Sequence, residues 1–215
     1  MLIQIVLWSL AIALVGGYFV TRAMTSQPDP VEPDLPEPVE LPPLTPMYDL
    51  PDWTLTDHNG EAFSSADLAG KPWVGFLFLT NCPAGICPAM MGKMGEFSRA
   101  VGELPVDIVG FSIDPERDTP ETRAEYVRSV AGEEPDDRWH IVTGESPDDM
   151  VDLAQRMRLV ANPDDNWGHS SYFLLVDGEG TVRGIYRNSD DTMVEQLGRD
   201  AEMLVEKMGL TPKGE

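Results

Sequence analysis

The chain predicts an α/β domain built on a mixed central sheet flanked by helices, and three observations point there. Trp73 to Leu79 is an almost continuous apolar run, as expected of a strand buried on both faces. Strand and helix patterns then alternate as far as Arg158. From Tyr172 the rhythm changes to a hairpin followed by a closing helix. A length of 215 residues suits one such domain plus extras.

The extras come first along the chain. Residues 2–20 carry no charge, and roughly 20 apolar residues are what a helix needs to cross a bilayer. Residues 1–25 are therefore expected to form an N-terminal transmembrane helix. The alternative, a cleavable signal peptide, wants a basic start, a shorter apolar core and a small-x-small cleavage site. No Lys or Arg precedes the run, and the surroundings of Ala23 fit poorly. Arg22 follows the span and nothing basic precedes it, so the positive-inside rule gives no orientation. Residues 26–51 hold nine prolines interleaved with Asp29, Glu32, Asp34, Glu37 and Glu40, and no basic residue. Proline and like charge favour an extended chain of about 3.1 Å per residue, which predicts a stalk. A proline-rich recognition ligand is the other reading.

The folded domain is expected over 52–215. Trp53 to Thr56 and Ala62-Phe63 flank Asn59-Gly60, a strong hairpin turn signal. After the strand from Trp73 to Leu79, Pro88 to Val101 reads as a helix, with Pro88 where its missing N–H costs nothing. Val106 to Ile113 is the next strand. A helix from about Pro120 to Val130 follows, with Asp118 or Thr119 as cap. His140 to Val142 is a short strand, and Pro147 to Arg158 a helix capped by Ser146. Tyr172–Val176 and Thr181–Tyr186 flank Asp177-Gly178-Glu179-Gly180 as an antiparallel hairpin. Thr192 to Met208 closes the domain as a helix.

Chemistry concentrates on the only two cysteines, Cys82 and Cys87, in the segment Thr80 to Pro88. A dithiol at the end of the first central strand makes the arrangement thioredoxin-like. The first turn of the following helix should aim backbone N–H groups at the second thiol and lower its pKa. Two thiols in one loop serve as a structural disulfide, a redox dithiol or a metal site. A disulfide closing so short a loop stabilises little, because loop-closure entropy grows with loop length. Four intervening residues also depart from the C-x-x-C of ordinary thioredoxins. A tetrahedral zinc site normally needs four ligands, whereas two thiolates and one imidazole suit copper. Cysteine usage favours an oxidising compartment.

Three histidines are candidates for that imidazole. His58 sits in the hairpin turn and reads as solvated. His140 opens a strand and reads as a satisfied core residue. His169, in the loop Asp164 to Ser170 before the hairpin, is placed to reach a dithiol. Met90, Met91 and Met94 carry thioethers able to bind Cu(I), although methionine on a helix face usually packs in a core. Asp114 and Asp118 follow a strand end, where turn and cap chemistry competes with tuning the site or docking a partner. Trp167 is a candidate shield or partner contact. A formal net charge of -22, from 37 acidic against 15 basic residues, repels nucleic acid and anionic lipid. That acidity reads either as solubility and salt adaptation or as attraction for a cation or basic partner face.

Taken together, several pieces resemble the Sco/SenC family of membrane-anchored, thioredoxin-fold copper proteins that help assemble cytochrome c oxidase. They are Asp67 to Val74, Thr80-Asn81-Cys82…Cys87-Pro88, Phe111 to Pro120, Trp139 to Gly144, and His169-Ser170…Phe173 to Asp177. The resemblance implies that Cys82, Cys87 and His169 bind one copper ion, Cu(I) or Cu(II), and that the two cysteines also cycle as a disulfide. It implies an oxidase subunit bearing a binuclear copper centre as partner, with other copper chaperones or thiol reductases as further partners. It implies a single pass through the cytoplasmic (inner) membrane, with the domain on the periplasmic, extracytoplasmic side. Copper transfer and reduction of the client's cysteines are the two roles it offers. The chain departs from the family's C-x-x-x-C-P spacing by one residue, and Gly168 stands where an Asp commonly precedes the histidine. The rival function is a thiol–disulfide oxidoreductase in which Cys82 or Cys87 attacks a partner disulfide. A peroxide-reducing relative is a third.

Overall fold

Among the residues that the computed structural model describes, 44–159 and 171–211, six strands join in one sheet and two more form a separate hairpin. All belong to the unit Leu41–Glu215. The expected membrane helix, the linker up to residue 43, and residues 160–170 with Trp167, Gly168 and His169 lie outside the described residues. Among the described residues no helix is long and apolar enough to cross a membrane.

The strands are β1 (Tyr48–Asp49), β2 (Thr54–Thr56), β3 (Ala62–Ser64), β4 (Trp73–Phe78), β5 (Asp107–Ser112), β6 (Trp139–Val142), β7 (Tyr172–Val176) and β8 (Thr181–Arg187). The helices are α1 (Ile86–Val101), α2 (Pro120–Tyr126), α3 (Pro147–Arg156) and α4 (Met193–Lys207). Sheet order is β1-β8-β7-β4-β5-β6. β4, β5 and β6 run parallel, and β7, β8 and β1 add on antiparallel. The predicted mixed sheet is therefore present, with the apolar run of β4 at its centre and wholly buried.

Side chains alternate across β4. Trp73 meets Trp53, which sits edge-on to it at 6.5 Å and to Phe111 at 5.2 Å; this lays the β2–β3 hairpin over one face. On the other, Phe76 meets Phe173 at 5.7 Å and Phe78 stacks on Tyr126. Each such ring contributes about 1.5–3 kcal/mol by leaving water. Helix α1 packs against α4 and against a wide π-type turn, Val127–Ala131, that prolongs α2. Gly95 permits the second contact, because a Cβ there would lie 2.1 Å from the Ala131 carbonyl oxygen.

The domain begins earlier than expected. Residues 44–51, assigned to the linker, form a strap along the sheet edge. The Met47 and Leu50 amides donate to the carbonyls of Val182 and Gly180, each at 2.9 Å, and Leu44 is buried. The Tyr48 hydroxyl donates to the Met157 carbonyl (3.3 Å), with Arg158 over its ring at 4.5 Å. A two-residue strand among prolines carries too little pattern to stand out in sequence. Helix starts are closer to expectation. Thr119 rather than Asp118 caps α2 by accepting from the Thr122 amide, and Ser146 caps α3 in a reciprocal box with Asp149.

Candidate dithiol and metal centre

The loop that carries the thiols is tied down before it begins. Thr80 donates its amide (3.1 Å) and its hydroxyl (2.5 Å) to the carboxylate of Asp118. Ser112, the last residue of β5, donates its hydroxyl to the same carboxylate at 2.5 Å. Asp118 has no exposed surface and so stitches the ends of β4 and β5 together. Its own carbonyl accepts from Arg123 at 2.6 Å, and the remaining Arg123 donors reach the carbonyls of Thr56, Asp57 and Ile141. Arg123 is 1% exposed, and four carbonyls stand in for the water that a buried cation must give up. Asp114 has the turn role expected of it, pairing with Arg117 at 2.6 Å and accepting from the Asp118 amide.

Next comes the turn itself. The Gly85 amide donates to the Cys82 carbonyl, and Gly85 adopts φ +69° as the cap residue of α1, a conformation glycine reaches without strain. The helix therefore starts at Ile86, two residues before the expected Pro88, and Cys87 falls inside its first turn. Cys87 is fully buried, whereas Cys82 is partly exposed.

This reverses the expected roles of the two sulfurs. Burial pushes the Cys82 thiol up, but N–H groups of Cys87, Ile86 and Ala84 and the Cys87 thiol outweigh it and hold the pKa below its ordinary value. Burial first, and then its hydrogen bond to Cys82, push Cys87 up to about 12. The open N–H groups at the helix start face the preceding cysteine, not the one built into the turn. Cys82 is thus the ready nucleophile, and Cys87 the buried partner that keeps its proton and donates a hydrogen bond to it.

Of the other candidates, Met90, Met91 and Met94 are fully buried core residues. His58 is half-buried rather than fully solvated, and its Nδ1 accepts from the Ile141 amide at 3.4 Å. His140 stacks on Phe63 with centroids 4.1 Å apart, and its Nε2 lies 3.9 Å from Asp107. Burial is the main cause that lowers both histidine pKa values. His140 lies near the start of β6, while the thiols follow the end of β4, at the opposite end of parallel strands. His169 lies outside the described residues. Among the described residues no group of three His, Cys, Asp or Glu side chains is placed to hold a metal. The donors that are in place, two sulfurs, match a soft ion and leave a coordination position for a further ligand.

Sequence reasoning missed the Asp118–Thr80–Ser112 stitch and the buried Arg123. For Arg123 a signal existed, since it shares a helical face with Tyr126 and Val127, three and four residues on. The stitch joins Thr80 to a segment more than thirty residues on, Ser112 to Asp118, and has no local signature.

A mixed sheet with a dithiol where β4 passes into the first turn of α1 defines a thioredoxin-like thiol domain. Within that class the chain belongs to the SCO1/SenC family, whose model matches residues 47–204. It is 28% identical to a SCO1 protein homolog of Bacillus subtilis, over 72% of this chain and 82% of that protein. Among solved structures it resembles a SCO1/SenC family lipoprotein from Bacillus anthracis, with TM-score 0.67, 30% identity, and 76% and 99% of the two chains covered. It is similar to BsSco, a Sco-family cytochrome c oxidase assembly protein with a disulfide switch (TM-score 0.65, 26% identity, 75% and 96% covered). It is also similar to Bradyrhizobium japonicum ScoI with copper bound (TM-score 0.58, 27% identity, 73% and 99% covered).

Proposed function

We propose that this chain is a membrane-anchored copper-binding chaperone that helps assemble the binuclear copper centre of a cytochrome c oxidase. The observation that carries the reading is the pair of unequal thiols at the end of β4, held by Asp118 and opened toward solvent at Cys82. Cys82 and Cys87 supply two soft donors, and His169 completes a three-ligand site for Cu(I). Chain connectivity supports that third ligand. Strand β7 begins at the thiol end of the sheet, because Phe173 pairs with Phe76, and His169 stands two residues before Ser171 in the sequence. Copper is cargo here, passed on as a client's sulfur or imidazole displaces these ligands one at a time. The copper-bound and disulfide-switching relatives support both halves of the reading. Residues 1–25 are the proposed single-pass anchor in the cytoplasmic membrane and the acidic, proline-rich segment after it the stalk; the preference of a dithiol for an oxidising compartment supports an extracytoplasmic side for the domain.

A second reading, thiol–disulfide exchange with a partner protein, is favoured by the asymmetry of the thiols, which is what such exchange requires. The deciding experiment is anaerobic titration of the full chain in mild detergent with Cu(I) and Cu(II), beside His169→Ala. One tight equivalent, a visible sulfur-to-Cu(II) charge-transfer band, and loss of both in His169→Ala are expected. Weak binding that ignores His169, together with ready reduction of a partner disulfide, would leave only the exchange reading.

A further inference from the structure

Tyr126 is the last residue of α2, and its ring lies flat on Phe78, centroids 5.6 Å apart with 12° between the planes. Phe78 ends β4, four residues before Cys82. The Tyr126 side chain is buried, and its hydroxyl has no hydrogen-bond partner among the described residues. A buried hydroxyl is seldom left so, because it forfeits its hydrogen bonds to water without replacement. The dithiol is tied to the same strand end, because the Leu79 amide, next to Phe78, hydrogen-bonds the Cys87 sulfur. After burial, the influences that raise the Tyr126 pKa are the charges of Cys87, Cys82 and Asp118.

Exchange chemistry poses a problem at this spot. When a thiolate of an external dithiol attacks Sγ of Cys82 in the disulfide form, a mixed disulfide forms and the Cys82–Cys87 bond breaks. Cys87 leaves with the electron pair as a thiolate. The second external thiol then closes onto the sulfur bound to Cys82 and releases it. Two electrons pass from the external dithiol, and its two protons end on the protein's sulfurs. At the moment of departure Cys87 carries charge with no surface open to water, and Cys82, to which it otherwise donates a hydrogen bond, is bonded to the incoming sulfur.

We propose that the Tyr126 hydroxyl, which has no partner among the described residues, donates a hydrogen bond to the Cys87 sulfur as it leaves, and again, by reversibility, as it attacks. The inference rests on the dithiol reading above and needs no copper. Tyr126 then speeds opening and closing of the disulfide without altering the reactivity of Cys82 toward small reagents.

The test is reduction of the oxidised full chain by dithiothreitol, followed by stopped-flow fluorescence. Tyr126→Phe keeps the ring and its stack and removes the donor. Its reduction should be about tenfold slower, in line with one hydrogen bond to a charged group. Thermal midpoint and the alkylation rate of reduced Cys82 should stay as in wild type. Placing 4-aminophenylalanine at the same position restores an N–H donor and should recover most of the rate. A folded Tyr126→Phe chain reduced at the wild-type rate overturns the proposal. So does an aminophenylalanine chain as slow as the phenylalanine one, which would make the effect packing. Failure of copper to bind leaves this inference standing, while a wild-type disulfide that dithiothreitol never opens removes the dithiol reading beneath it.

Discussion

The two ends of the central sheet hold similar reactive side chains and use them differently. Where β4 and β5 stop lie Cys82, Cys87 and the carboxylate of Asp118. Where β5 and β6 begin lie Asp107, His140 and Lys71. Strands of six residues separate the two ends by roughly 15–20 Å. At the starting end the groups are absorbed by structure: His140 lies flat on Phe63, and Lys71 reaches Asp107 at 3.3 Å. At the finishing end Asp118 is absorbed in the same way, which fixes the loop and leaves the helix start facing a sulfur near the surface. Residue type alone would nominate both ends as metal sites; the commitment of the donor atoms selects one.

The largest expected effect tests that selection. Cys82→Ser should abolish both copper binding and disulfide exchange, whereas His140→Gln should leave each within about twofold, a small stability change being its only cost. Anaerobic copper titration of the two variants side by side decides it, and loss of copper in His140→Gln would erase the distinction between the ends. Reactivity should be similarly lopsided. Iodoacetamide at pH 7 should label Cys82 on the order of a hundred times faster than Cys87, whose thiol burial holds near 12. Peptide mapping by mass spectrometry reads the ratio. Because the Cys82 pKa is lowered, its labelling should persist as the pH falls below the ordinary thiol range.

Stability separates the ends next. Asp118→Ala strands the Thr80 amide and two hydroxyls in the interior and should cost about 3 kcal/mol in urea denaturation. Lys71→Ala removes one partner of a pair in which lysine is 46% exposed, and should cost about 1 kcal/mol or less. Equal losses would mean that Asp118 is no more structural than a surface partner. The smallest effect concerns pH. His58 and His140 have folded pKa values below their usual 6.5. The unfolded chain therefore takes up protons first as pH falls through about 6.5, and stability declines from there until the folded pKa values are passed. His140→Gln should flatten that decline, read from urea midpoints between pH 7.5 and 5.

Much of the scaffold was legible because its signals are local. The apolar run of β4, the turns Asn59-Gly60 and Asp177 to Gly180, and the capping serine before α3 each declare themselves within a few residues. The roles of the two sulfurs were not. They depend on whether α1 starts at Ile86 or at Pro88, and that depends on the left-handed turn at Gly85, a residue as much at home in any loop. Arg123 escaped for the opposite reason. Its partners lie at the end of β2 and just after it, on β6 and just before α2, so only the assembled fold brings four carbonyls to one guanidinium.

The strap at residues 44–51 has a mechanical consequence. It joins the sheet on β8, at the edge, with β7 between that strand and β4. Tension arriving from the N-terminal side is therefore carried by the strap's bonds to β8 and by the grip of Tyr48 on Met157 and Arg158. A tug would strip the two-residue strand before it strained β4. The thiols sit off the line of force, so a pull on the N-terminal side of the strap leaves the spacing of the sulfurs unchanged.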